Sequence, residues 1–221
     1  MNKEFKKKRS RLQKYTSIVL PAVIIGGWLY PPLGFSLLFC MVGAVGIAFY
    51  NGRAWCDWMC PRGSFYDLFL EKISRKMPIP DMFKTNWFRS VILSLLMTAL
   101  GVQIYFAWGD SYGIGLAFVI VLTITTTAGI VLGAVFKPRA WCQICPMGTL
   151  GNWFSADKNL LHVNEQCKDC KLCAKACPMQ LKPYEYKSGE MTDADCIKCS
   201  SCVASCPVNL LDFREKQKKA A

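Results

Sequence analysis

Two nearly identical cysteine runs near the C-terminal end constrain this chain more than any other feature. Each run has the spacing C-x2-C-x2-C-x3-C-P, and eighteen residues separate Cys177 of the first run from Cys196 of the second. Three closely spaced thiolates can bind one four-iron cubane, while the fourth, held by the proline that follows it, reaches a neighbouring cluster. The two runs therefore predict two [4Fe-4S] clusters.

In a crossed arrangement, each cluster takes three cysteines from one run and the last cysteine of the other. The predicted ligands are Cys167, Cys170, Cys173 and Cys206 for cluster 1, and Cys196, Cys199, Cys202 and Cys177 for cluster 2. A disulfide scaffold or a pair of zinc knuckles seldom repeats this spacing or ends each run in proline. Residues 163–213 resemble the two-cluster bacterial ferredoxins, and the resemblance implies transfer of single electrons.

The part of the chain before these runs has the pattern of a membrane protein. About half of the 221 residues are hydrophobic (52%), although the formal net charge is +12, so apolar and basic residues must lie in different places. Four apolar stretches predict helices: residues 15–30, 33–50, 90–108 and 114–136. The last three are long enough to span most or all of a hydrocarbon core of about 30 Å.

The basic residues predict the topology. All 27 lysines and arginines fall in residues 1–14, 51–89 and 137–221. The positive-inside rule then places both termini, the middle loop and the clusters on the cytoplasmic side of a prokaryotic inner membrane, in contact with the lipid bilayer. No small-residue cleavage site follows the first apolar stretch, so we expect it to be retained. We expect no nucleic acid partner, because the basic residues flank helices and form no aromatic-interleaved patch.

An internal repeat indicates a third site. The sequence R-A-W-C begins at Arg53 and again at Arg139, and each copy continues into C-P-x-G. The chain thus contains two copies of a helical hairpin followed by a cysteine turn. A pseudo-two-fold packing would bring together four thiols, those of Cys56, Cys60, Cys142 and Cys145. We favour a third [4Fe-4S] cluster there, with a redox-active dithiol, a copper site, structural zinc or uncoordinated cysteines as alternatives.

The two W-C-x2-3-C-P-x-G turns and the C-terminal dicluster segment together resemble the membrane ferredoxin-type (quinol dehydrogenase) subunit of periplasmic nitrate reductase systems. They are also similar to its relatives in nitrous-oxide reductase regulation and copper-oxidase assembly. The resemblance implies quinol oxidation at the membrane and electron transfer through [4Fe-4S] clusters to a partner. The second turn is one residue shorter than the C-x3-C-P usual in that family. The chain has no room for the large flavin domain of the nitrous-oxide relatives, so no flavin is expected.

The predicted fold is mainly α: a four-helix transmembrane bundle with a small α+β C-terminal dicluster ferredoxin domain. We divide the chain into a basic cytoplasmic N-terminus (1–14), the membrane domain (15–154) and the ferredoxin domain (155–221), which opens with a linker at 155–166. The predicted function is membrane-bound electron transfer between the quinol pool and a cytoplasmic or membrane redox partner, as one subunit of a larger oxidoreductase system. The alternatives are copper reduction or metallocofactor maturation, and a membrane anchor whose clusters shape a docking surface.

Other chemistry finds little support. The chain has neither a G-x-G-x-x-G run after a strand nor a phosphate-binding G-x-x-x-x-G-K-[ST] loop. His162, the only histidine, cannot supply bis-histidine haem and is interpreted as a linker residue. Gln103 and Asp110 could help to bind a quinone near the outer face, although a helix–helix hydrogen bond is favoured for Gln103. No catalytic residue is assigned.

Overall fold

The computed structural model describes residues 2–155 and 158–214 and shows a mainly α-helical chain with one small sheet, as the sequence predicts. Four long helices form the base: α1 (Asn2–Leu29), α2 (Ser36–Asn51), α5 (Asn86–Phe106) and α6 (Ser111–Val135). Residues 7–29, 31–51, 86–106 and 111–135 are long and apolar enough to cross a membrane. Helix α1 is longer than its apolar stretch, because it begins within the basic N-terminal segment. The helix then continues through Pro21, which lies in the apolar part.

The connections at one end of the base are short and tight. A 3-10 turn at Pro31–Phe35 links α1 to α2, and a Cβ on Gly115 of α6 would collide with the carbonyl of Pro31. The Asp110 carboxylate caps α6 by accepting hydrogen bonds from the backbone N–H groups of Tyr112 and Gly113, at 3.0 and 3.1 Å. Asp110 therefore has a structural role at this helix N-terminus.

Each cysteine turn folds as two short helices at the opposite end of the base. The first turn contains α3 (Ala54–Trp58) and α4 (Pro61–Phe69), and the second contains α7 (Ala140–Ile144) and α8 (Pro146–Phe154). Pro61 and Pro146 occupy the first helical position, where a missing N–H costs nothing. The sequence repeat is therefore also a repeat of local structure.

The C-terminal part contains α9 (Leu172–Ala176), α10 (Ser201–Ser205) and three strands, β1 (Leu160–Val163), β2 (Gly189–Met191) and β3 (Leu211–Arg214). The strands form an antiparallel sheet in the order β2-β1-β3. Short 3-10 turns also lie at Asp81–Lys84 and Pro183–Tyr186.

Within the predicted linker at 155–166, residues 160–163 form the central strand of this sheet, so this part of it is not a linker. Leu161 and Val163 in β1 are fully buried. His162 lies in the same strand, opposite Glu190 of β2 and Asp212 of β3. The prediction was misled by the polar residues on either side of a strand only four residues long, whose hydrophobic pattern is too short to recognise.

Candidate iron–sulfur centres

The structure brings the four turn cysteines together. Four thiols, two from each half of the repeat, are close enough for their charges to interact: those of Cys56, Cys60, Cys142 and Cys145. We call this group the turn site. Residues from both halves are needed to form it, and its binding of a cluster stays a prediction.

Two buried arginines hold the turn site by reaching across the repeat. Arg53 Nη2 of the first turn donates a hydrogen bond to the carbonyl oxygen of Cys142, at 2.7 Å. Arg139 Nη1 of the second turn donates to the carbonyl oxygen of Cys56, at 2.8 Å. Each guanidinium therefore satisfies the cysteine backbone of the other repeat.

The glycines of the C-P-x-G motifs make room for this exchange. A Cβ on Gly63 would lie 2.8 Å from the carbonyl oxygen of Cys56 and 3.3 Å from Arg139 Nη1. A Cβ on Gly148 would lie 2.8 Å from Arg53 Nη2 in the equivalent place. In both halves of the repeat, the arginine is thus explained by its hydrogen bond to a cysteine carbonyl, and the glycine by the space that this arginine needs.

Carboxylates neutralise the arginine of the second turn. Arg139 donates to Asp67 at 2.6 and 2.8 Å and to Asp57 at 3.0 Å. Arg9 of α1 donates to both oxygens of Asp57, at 2.6 and 2.7 Å. Burial favours a raised pKa for Asp67, but Arg139 and Arg9 outweigh it and the pKa is lowered. The network is therefore charged and tied to the first helix.

A second carboxylate joins the ferredoxin segment to the helical base. Asp195, which directly precedes Cys196, accepts from Arg53 and Arg89 at 2.7 Å each and from Asn152 at 2.8 Å. Burial opposes the charged form of Asp195, yet the two guanidinium groups lower its pKa. Arg53 thus contacts both the second cysteine turn and the segment that leads into the second cysteine run.

The chemistry of the turn site fits a metal cluster. Burial raises the pKa of Cys60 to about 11 and raises that of Cys142 further, while Arg139 lowers the pKa of Cys142 in part. Neighbouring buried thiols disfavour ionisation, so thiolates here need a cationic partner such as iron. Among the residues that the structure describes, no three His, Cys, Asp or Glu side chains are grouped as around a single metal ion.

In the ferredoxin segment, the predicted ligands of cluster 2 come together. Burial and the nearby thiols of Cys199 and Cys196 raise the pKa of Cys177 to about 12. The pKa of Cys202 is raised by burial and by the same three thiols. The last cysteine of the first run therefore lies with the first three of the second run, as the crossed assignment expects.

For cluster 1, the thiols of Cys167, Cys170 and Cys173 are neighbours. Cys206 packs against the buried core that also contains Cys173. All thirteen cysteines of the chain are free thiols. The ligand assignments of both clusters remain predictions. All four predicted ligands of cluster 2 are neighbours, and three of the four predicted ligands of cluster 1 are neighbours.

The backbone of each run also fits an anionic cluster. Residues on either side of the second cysteine adopt left-handed φ values, at Asp169 (51°) and Lys171 (60°) in the first run and at Lys198 (55°) and Ser200 (55°) in the second. Backbones that combine left- and right-handed residues point successive N–H groups into a concave surface that binds anions. Neither run contains glycine, so residue type alone did not reveal these conformations.

The turn site and the ferredoxin segment share one hydrophobic core. Cys142 belongs to the buried cluster that contains Cys173, Cys196, Cys199 and Cys202. Gln143 Nε2 in the second turn donates to the carbonyl oxygen of Met179, at 3.1 Å. The predicted centres therefore lie within one packed unit.

Sequence reasoning missed the charged residues that position these cysteines: Arg53, Arg139, Asp57, Asp67, Asp195 and Arg89. For the two arginines of the turns, a signal was present, because each precedes the A-W-C of its repeat. For Asp195, the only hint was its position next to Cys196.

Comparison with known families supports the iron–sulfur assignment. Residues 33–80 and 114–162 both match the family described as a 4Fe-4S binding domain, which follows the two halves of the repeat. Residues 166–211 match the 4Fe-4S dicluster domain. The chain therefore carries ferredoxin-type 4Fe-4S domains, which imply [4Fe-4S] clusters and support an electron-transfer role.

Two similar proteins come from Methanocaldococcus jannaschii. The uncharacterized protein MJ0749 is 29% identical over 190 residues, covering 76% of this chain and 72% of its own length. The uncharacterized protein MJ0750 is 29% identical over 167 residues, covering 66% of this chain and 67% of its own length. No solved structure matches the chain significantly.

Proposed function

We propose that this chain is a membrane-bound iron–sulfur protein that exchanges electrons between the quinol pool and a cytoplasmic or membrane redox partner. The observation that carries the proposal is the buried core in which Cys142 and Cys56 of the turn site pack against both cysteine runs, beside the ends of the apolar helices. Such an arrangement connects a lipid-soluble electron carrier to a ferredoxin segment without any mobile intermediary.

Insertion into a bilayer is supported by the surface of the helical base. Large apolar side chains are widely exposed on it, including Phe39 (78%) and Phe106 (83%). Soluble proteins rarely expose such continuous apolar surfaces, whereas lipid contact requires them. Tyr30 and Tyr112 pack edge to face at the end opposite the cysteine turns, with ring centroids 6.0 Å apart, as in an interfacial aromatic belt. The turns would then face the basic, cytoplasmic side.

The residues that would hold the clusters are the two crossed cysteine sets and the turn site. When bound, each [4Fe-4S] cluster takes up or releases one electron. The chain itself supplies buried thiols, left-handed backbone segments that present N–H groups, and guanidinium groups beside the turn site. Burial excludes water from the thiols, and the N–H and guanidinium groups favour the negative charge that burial alone opposes.

The test is anaerobic reduction of the purified protein by menaquinol or ubiquinol. We expect the visible iron–sulfur absorbance to bleach, and we expect EPR signals of reduced clusters to appear. Dithionite serves as the control that the clusters are reducible. Bleaching by dithionite together with no bleaching by any quinol would contradict the quinol assignment while leaving the iron–sulfur domains in place.

Orientation has a separate test. Cys170 is the exposed cysteine of the first run. In a protein freed of iron by chelation, a membrane-impermeant maleimide should label it in inverted vesicles and not in intact spheroplasts. Labelling from the outside of spheroplasts would place the ferredoxin segment on the wrong side for this proposal.

A further inference from the structure

A cavity of about 450 Å³ lies where the end of α2, the first cysteine turn and the second cysteine run meet. Most of its wall is apolar or aromatic, with a few polar side chains between. Its wall includes Ile47, Asn51, Trp55, Trp58, Lys198, Ser200 and Phe213. Its size and lining are typical of sites that bind a ring-shaped small molecule and orient it by a few hydrogen bonds.

Lys198 is the unusual side chain in this wall. Only 7% of the residue is exposed, and its Nζ lies 6.0 Å from the centroid of the Phe213 ring. Within residues 7–155 and 158–213, no carboxylate forms an ion pair with it. Among these residues, the ammonium faces the cavity wall without a hydrogen-bonded carboxylate, and a ligand oxygen bound there would accept a hydrogen bond from it.

The backbone keeps Lys198 in this place. A Cβ on Gly52, which has a φ of +61°, would lie 3.4 Å from Cε of Lys198. Gly52 directly follows α2 and lets the chain turn while the lysine stem passes beside it. The lysine is therefore wedged between the end of an apolar helix and the cysteine run.

The cavity adjoins two of the predicted iron–sulfur centres. Lys198 and Ser200, which flank Cys199, both line it. On the opposite wall, Trp55 and Trp58 belong to the turn that carries Cys56 and Cys60. A ring bound here would lie beside the cysteine backbones of both groups.

The cavity also borders the apolar surface. Ile47 and Asn51 lie in the last turns of α2, and the neighbouring Tyr50 is 82% exposed. A hydrophobic tail attached to the ring could therefore leave along α2 toward the bilayer.

We propose that this cavity binds the head group of a quinone, with Lys198 and Asn51 donating to its carbonyl oxygens and the tryptophan rings contacting its face. This inference rests on the proposed function and locates its substrate site at the cytoplasmic end of the base. It differs from the outer-face interpretation of Gln103 and Asp110, since Asp110 is occupied as a helix cap. The proposal concerns only the binding of the head group. The site can therefore be detected without electron transfer.

The experiment is photolabelling of the cluster-loaded protein with an azidoquinone that carries a short tail, followed by peptide mapping. We expect saturable labelling of residues 47–59 that excess unlabelled quinone prevents. In Lys198→Met and Asn51→Leu, we expect the half-saturating concentration to rise about tenfold, because each variant removes one hydrogen-bond donor to the head group. Ile47→Trp fills the cavity from a helix without cluster ligands and should abolish labelling. Gln103→Leu is the control and should label as wild type.

Iron and sulfide content measured on each variant separates loss of binding from loss of folding. Wild-type half-saturation in both Asn51→Leu and Ile47→Trp, or labelling that maps to α5 and is lost in Gln103→Leu, would overturn the site. Labelling displaced by phospholipid and not by quinone would also overturn it, in favour of a lipid occupant. If Asn51→Leu and Ile47→Trp label as wild type and are still bleached by quinol, the site is refuted and the proposed function stands. Failure of any quinol to bleach the wild type would instead count against that function itself.

Discussion

Arg53 donates a hydrogen bond of 2.7 Å to the carbonyl oxygen of Cys142, although the two residues are 89 positions apart in the chain. Arg139 donates the equivalent hydrogen bond to the carbonyl oxygen of Cys56 at 2.8 Å, so each half of the repeat completes the cysteine turn of the other. Neither half could form this arrangement alone. The reciprocity explains why arginine recurs before A-W-C and glycine recurs after C-P.

Replacing Arg139 with methionine should strongly destabilise the protein. Asp57 and Asp67 would lose their shared buried partner, and breaking a buried ion pair by removing one member costs about 3–5 kcal/mol. We expect a clearly lower midpoint of thermal unfolding in detergent, together with loss of iron. Lys84→Met is the matched control, because the Asp81 side chain of the Lys84–Asp81 pair is 94% exposed and such surface pairs contribute about 1 kcal/mol or less. Equal midpoints for the two variants would show that the Arg139 network is not stabilising.

Asp195→Asn should loosen the ferredoxin segment from the helical base. The substitution leaves Arg53 and Arg89 buried without a carboxylate, which is unfavourable even if the amide keeps some hydrogen bonds. We expect faster limited proteolysis between α8 and β1 and a lower unfolding midpoint. Asp212→Asn, on an exposed position of β3, is the control and should behave as wild type. Unchanged proteolysis in Asp195→Asn would mean that the apolar core alone holds the two parts together.

Gly129→Ala tests the packing of the first cysteine turn against α6. A Cβ on Gly129 would overlap the hydroxyl of Tyr66, a fully buried residue that donates to the carbonyl oxygen of Thr126 at 3.1 Å. Overpacking of this kind typically costs about 1–3 kcal/mol, so the unfolding midpoint should fall. Gly101→Ala, where nothing lies within 4 Å of the added atom, should not lower it.

The same clash provides an internal check. Because the Tyr66 hydroxyl is the atom nearest to the added Cβ, ahead of ring carbon Cζ at 2.6 Å, Tyr66→Phe in the Gly129→Ala background should recover part of the loss. Strict additivity of the two substitutions would argue against the contact.

The double substitution Cys56→Ser with Cys142→Ser tests the turn site for a cluster. If the site holds a third [4Fe-4S] cluster, iron should fall from about twelve to about eight per chain, because each cubane contains four. EPR of the dithionite-reduced protein should lose one component. Cys40→Ser, within α2 and apart from the turn site, should leave the iron content unchanged. About eight irons in the wild type, with no change in the double variant, would rule out the third cluster.

Much of the fold could be predicted because its signals are local. The cysteine spacing, the four apolar stretches and the repeated turn each depend on residues close together in the chain, and periodicity reveals them. Strand β1 escaped prediction because four residues between polar neighbours carry too little pattern. The left-handed residues at Asp169, Lys171, Lys198 and Ser200 escaped because none of them is glycine.

The amino-acid sequence by itself determined which thiols are available for clusters and which segments are apolar enough for a membrane. Only the tertiary structure decided which charges meet. Arg53 and Asp195 are 142 residues apart, and nothing in the local pattern of either residue specifies the other. Buried charges must find partners as the chain closes, since an unpaired charge in an apolar interior is too costly to retain. The packing of two repeats against one ferredoxin segment therefore selected the pairs that hold the candidate centres in place.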